Sequence, residues 1–169
     1  MKGTLPGGLW NIQARAYRIP FTPFTHNFWA LAEPSGAIAD QLHGLAFDPD
    51  SQTIKAIGNS SHWLLAVHDP TIVWSLKRNQ PTVICFSDRE IKVRDRWQAA
   101  LHSLPEINAL HLPYPDLWQH FYKKNSNTLF NTLGLIMGFA SPLLSTLAPG
   151  IHRVISEEII KKYSYQITK

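Results

Sequence analysis

Cysteine is nearly absent. Cys85 stands alone among 169 residues, which excludes an internal disulfide framework and any cysteine-based zinc cluster, so stability must come from packing. Charge is sparse too, at 17% of residues, and cations never run longer than Lys123-Lys124 or Lys161-Lys162. A net charge of +4 permits peripheral contact with an anionic membrane or cell-wall polymer, but such scatter lacks the footprint of a nucleic-acid binder, and no nucleic-acid partner is expected. The opening residues carry no unbroken apolar core of a secretory signal. The chain is therefore read as cytoplasmic when synthesised, with any delivery by a signal-independent route. Phosphate-cradling glycine loops and the G-x-S-x-G elbow are missing as well, which removes nucleotide chemistry and the common serine-hydrolase fold and leaves no cofactor expected. His62 and His68 share a strand face but stand about 20 Å apart, too far to share a metal, and no metal site is expected.

Apolar residues, at 44%, suffice for the core of one domain. Residues 128–149 approach the roughly 20 residues that cross hydrocarbon, but Asn131, Gly134, Gly138 and Pro142 interrupt them, so they read as a buried helix and a second apolar turn. Residues 1–24 read as an extended lead-in ending in the proline-rich 19–24, residues 25–140 as the core, and 141–169 as a C-terminal helical extension. Within the core, residues 26–32 and 37–47 flank Glu33-Pro34-Ser35-Gly36 as a hairpin, and 54–57, 62–68, 72–75 and 82–86 add short strands. Ser87-Asp88-Arg89-Glu90 has the form of a capping box. It predicts a helix over 88–103, with Ile91, Trp97, Ala100, Leu101 and Leu104 inward, Lys92, Arg94, Asp95 and Arg96 in water, and Pro105 as its stop. A short helix over 116–122, an apolar helix over 126–139 and an amphipathic one over 151–163, with Glu157 and Glu158 spaced to pair with Lys161 and Lys162, complete an α+β fold in which an antiparallel sheet packs against helices.

The chemistry centres on Asn125-Ser126-Asn127-Thr128-Leu129-Phe130, where a hydroxyl lies between two amides at the start of an apolar helix. Unpaired N–H groups in a first helical turn favour negative charge, so an oxyanion would be stabilised there. His26, at a strand start, is the candidate general base. His43 or Asp40 on the next strand would orient it; period-two alternation puts those two on opposite faces, and His43, flanked by Leu42 and Leu45, is favoured. A strand histidine, a polar residue on the following strand and a later nucleophile at a helix start resemble the order of circularly permuted papain-like proteins, including permuted NlpC/P60 and lecithin:retinol acyltransferase-like enzymes. The segment starting at Asn125 resembles the N-C-x-x-F-like motif of that group, with serine in place of cysteine. Similar uncharacterised bacterial domains, some attached to large secreted proteins, share its Trp97, Ile107-Asn108 and Leu112-Pro113-Tyr114-Pro115 context.

The resemblance implies a permuted papain-like core and a hydrolase or acyltransferase acting on an amide or ester in cell-wall peptide or lipid. Ser126 would be nucleophile, His26 base and His43 orienter, with Asn125, Asn127 or the Ser126 amide at an oxyanion hole. Serine, unlike cysteine, does not ionise near neutrality, so it needs the base within about 2.6–3.2 Å as it attacks. Trp29, with Trp118, Phe121 and Tyr122, is expected to line a groove for lipid or peptide. Against this stands a structural reading: Ser126 as an N-cap and His26 as a satisfied buried histidine, in a catalytically silent papain-like binding or targeting domain, for instance of a bacterial secreted effector. Cys85 lies in an apolar strand, where cysteine behaves as a small hydrophobe rather than a nucleophile.

Overall fold

The computed structural model describes residues 8–144 and 147–166; residues 1–7 of the expected lead-in, with 145–146 and 167–169 of the expected extension, lie outside the described residues. Six antiparallel strands form one sheet: β1 (Trp10–Arg18), β2 (Thr25–Ala32), β3 (Ile38–Asp48), β4 (Thr53–Lys55), β5 (Trp63–His68) and β6 (Thr82–Asp88), in the order β4-β3-β2-β1-β6, with β5 also on β3. Three α-helices follow, α1 (Glu90–Ala109), α2 (Ser126–Ile136) and α3 (Glu157–Tyr163), with a short 3-10 turn at Leu117–Phe121 before α2. The α+β class expected from the sequence is the one observed. The β2–β3 hairpin turns through Glu33-Pro34-Ser35-Gly36, where Gly36 has φ 86° and its amide bonds the Glu33 carbonyl at 2.9 Å.

The largest correction concerns the lead-in. Residues 10–18 are not a tail but the strand between β2 and β6, with Ile12, Ala14 and Ala16 fully buried. Residues 72–75 form turns rather than a strand, and fold Trp74 and Ser75 over the sheet. The Ser87 capping box does not form: Ser87 still belongs to β6, Arg89 is the N-cap of α1, and no side chain caps that helix. Inward residues are Val93, Trp97, Ala100, Leu104 and Ile107, whereas Ile91 is 67% exposed. Arg96 does not face water. Its guanidinium lies over Phe86 and Tyr165 and donates to the Met137 carbonyl at 2.8 Å, closing the end of α2.

Pro105 sits inside α1 instead of ending it. Proline removes one helical hydrogen bond, but this one is on the exposed side, and contacts beyond it hold the last turn. Asn108 both donates to and accepts from the Ala66 backbone on β5, at 3.0 and 2.7 Å, and Glu106 receives Lys162 and the Tyr163 hydroxyl from α3. The expected helix over 151–163 starts only at Glu157, capped by the Ser156 hydroxyl, and Lys162 pairs with Glu106 rather than within α3. α2 is buried on almost every side, against Trp29 and Leu31 of β2 and Leu42 of β3. No helix among the described residues is long and apolar enough to cross a membrane.

Candidate active site

The β2–β3 ladder stops at Trp29↔Leu42, so the first residues of β2 splay away from β3, and β4 pairs with β3 only from Ala46 onward. The first turn of α2 fills the split. Asn127 stands in for the missing strand, its Oδ1 accepting the Asn27 amide at 3.1 Å and its Nδ2 donating to the Thr25 carbonyl at 3.1 Å. On the β3 side the approach depends on Gly44, where a Cβ would lie 2.9 Å from the Ser126 Cα and 3.2 Å from its Cβ. A cleft of about 70 Å³ opens at this point, lined by His26, Ser126, Tyr114, His120, Ile57 and Pro149 among others.

Asn125 is the N-cap of α2, its Oδ1 accepting the amides of Asn127 and Thr128 at 2.9 and 3.1 Å. Its Nδ2 donates to the carbonyls of His120 and Pro149, both at 2.9 Å. Ser126 is thus the first helical residue and not the cap, so its hydroxyl is released from that duty. Its own amide has no partner within the helix, as at any helix start. Asn125 and Asn127 are committed to structure. Neither supplies the oxyanion-hole amide expected from the sequence, because their side-chain N–H groups are directed at backbone carbonyls. Trp29 is likewise corrected: it is fully buried, stacks on Phe130 with centroids 4.5 Å apart, and donates to the Phe130 carbonyl at 2.8 Å, so it anchors α2 rather than lining a groove. Trp118, Phe121 and Tyr122 are exposed.

The two histidines meet. His26 Nε2 lies 3.0 Å from His43 Nδ1, and His43 Nε2 lies 3.2 Å from Gln41 Oε1. Gln41 Nε2 donates to the Ile72 carbonyl at 2.6 Å, which turns its Oε1 toward His43. The proton positions follow in sequence. An acceptor at Gln41 Oε1 requires a proton on His43 Nε2; neutral His43 then accepts at Nδ1, so neutral His26 carries its proton on Nε2 and leaves the Nδ1 lone pair open. Burial holds both rings neutral: it lowers His26 from 6.5 to about 4, and burial followed by the charge of His26 lowers His43 to about 2. Trp74 covers the pair, 5.8 Å from the His26 ring and 6.0 Å from the His43 ring. Asp40, the rival orienter, is on the other face as alternation requires, bonded to His68 at 2.6 Å and Trp97 at 2.9 Å.

Ser126 and His26 share the cleft, but among the described residues no hydrogen bond joins them. Tyr114 lines the cleft beside Ser126; burial pushes its phenol up, and Ser126 pulls it back less strongly. Burial raises the Cys85 thiol, which suits a packed strand residue and not a nucleophile. Sequence reasoning missed Tyr114, Gln41 and Gly44. Gln41 was accessible to it, since it precedes His43 by two residues and therefore shares its face; nothing local distinguishes Tyr114 or Gly44. Among the described residues no group of histidine, cysteine, aspartate and glutamate side chains could hold a metal ion. Comparison with known proteins finds no matching family model, curated protein or solved structure.

Proposed function

We propose that the chain is a hydrolase or acyltransferase of permuted papain-like design, using Ser126 as nucleophile, His26 as base and His43 as orienter on an amide or ester of cell-wall peptide or lipid. The observation that carries this reading is the bonded series from the Ile72 carbonyl through Gln41 and His43 to His26, which leaves a neutral Nδ1 lone pair on a residue lining the same cleft as Ser126. As the hydroxyl meets His26, its proton passes to Nδ1 and Oγ bonds to the substrate carbonyl carbon. The oxyanion is held by the Ser126 amide at the positive end of α2, and His26 returns the proton to the departing amine or alcohol. Water, or an acceptor alcohol or amine, then takes the acyl group from Ser126. Burial makes His26 a weak base, active from mildly acidic pH upward.

A binding or targeting domain without catalysis is the second reading, favoured by the lack of a Ser126–His26 hydrogen bond among the described residues of a cleft that both line. Labelling with a serine-directed acylating probe separates the two. The first reading expects a covalent adduct on Ser126, lost in Ser126→Ala with folding intact, and a retained or faster-reacting site in Ser126→Cys. An unlabelled wild-type protein whose biological effect is unchanged in Ser126→Ala would establish the second.

A further inference from the structure

We infer that the mouth of this cleft docks on the surface of an anionic lipid bilayer, with Phe21 as an inserted wedge; the docking does not depend on chemistry at Ser126. Phe21 is entirely exposed, at 108%, and holds φ 60°, a left-handed conformation that bulky residues rarely adopt. Its loop is stiff. Pro20 and Pro23 flank it, the Ile19 amide bonds the Phe24 carbonyl at 3.0 Å, Thr22 returns its amide and hydroxyl to the Ile19 carbonyl at 3.2 and 3.0 Å, and the Phe24 amide bonds the Thr22 hydroxyl at 3.2 Å. An aromatic ring is thus held out in water by a backbone that does not favour the position.

Other loops place large apolar side chains around the same opening. Ile57, 62% exposed, lines both the Ser126 cleft and an adjoining apolar hollow on the far side of His26, walled by Tyr17, Pro20 and Trp74. Phe121, 48% exposed, meets Phe24, which lines the cleft, edge-on at 5.6 Å. Exposed apolar residues occur singly on most surfaces; a set from three separate segments, Phe21, Ile57 and Phe121, around one opening marks an interaction site. Its fringe is cationic. Arg18 enters the Phe21 loop, Lys77 lies 5.8 Å over the Tyr17 ring, Lys123 follows Phe121, and Arg153 donates to the Phe121 carbonyl at 2.8 Å. A carboxylate, Asp116, caps the 3-10 turn that ends at Phe121 and accepts the Ser60 amide. An apolar centre with a basic margin matches the acyl boundary and the headgroup layer of an anionic membrane.

Co-sedimentation with vesicles tests the proposal, using the full chain carrying Ser126→Ala so that turnover plays no part. Vesicles of phosphatidylcholine mixed with phosphatidylglycerol should bind the protein, and pure phosphatidylcholine much less. Binding should weaken with added salt and fall about tenfold in Phe21→Asn, a residue that tolerates the left-handed backbone, and further in Phe21→Asn with Ile57→Ser. Unchanged thermal unfolding of these variants keeps the comparison valid, and is expected because Phe21 is wholly and Ile57 mostly exposed. No binding to either vesicle, equal binding to both, or equal binding by wild type and the double variant would overturn it. So would a dimer in sedimentation velocity that Phe21→Asn dissolves, because the face would then be occupied by a second copy.

Discussion

A methyl group at position 44 would collide with the backbone of Ser126, and the collision cannot be relieved by rotating a side chain. Gly44→Ala is expected to destabilise the protein by about 1–3 kcal/mol through overpacking and to slow probe labelling of Ser126, since relief requires moving the first turn of α2 off β3. Urea unfolding and labelling rate check the two effects separately. Ser126 shows how much of the site was legible at this scale. Its position at a helix start follows from the polar-to-apolar change at residues 125–129; its freedom from capping does not, because either Asn125 or Ser126 could have been the cap. The pairing of His26 with His43 was legible in two steps: strand alternation allowed only one of His43 and Asp40 beside His26, and the apolar flanks Leu42 and Leu45 pointed to His43. Tyr114 was not, because Pro113 and Pro115 announce an extended stretch without saying what the ring between them faces.

α2 is bound to its surroundings by polar side chains that a buried helix seldom carries. Asn125, Asn127, Thr128, Asn131 and Thr132 all bond outside or at the edge of the helix, many of them to residues 149–155. Asn125→Ala removes the cap and leaves the His120 carbonyl without its side-chain donor and the Pro149 carbonyl with Asn127 alone, an expected loss of about 2–4 kcal/mol; Asn125→Ser keeps an accepting oxygen for the cap and should lose less. Thermal or urea unfolding of the two variants decides it. Most elements were legible where apolar spacing was clear, as in β2, β3, β5 and α2. β1 escaped because its buried face is Ile12, Ala14 and Ala16, and alanine is a poor strand signal. The end of α1 escaped because Asn108 and Glu106, reaching β5 and α3, outweigh the local effect of Pro105.

Across the molecule, the buried imidazoles tie stability to pH. Both titrate lower in the folded chain than in the unfolded one, so the unfolded state binds more protons below about pH 6.5. Their contribution is complete above that pH and declines as acidity increases toward pH 4, by about 1.4 kcal/mol per pH unit for each histidine. Urea unfolding between pH 7 and pH 5 should show this slope, and His43→Gln should remove one histidine's share; an identical slope in the variant would refute the coupling.

The position of β1 between β2 and β6 also governs how the chain is made. Of the six described strands β1 is translated first and gains β2 almost at once, yet its second neighbour, β6, is translated last. Throughout that interval a nascent polypeptide carries an open row of amides and carbonyls beside small apolar side chains, a template for chaperones or for the next copy on the same messenger.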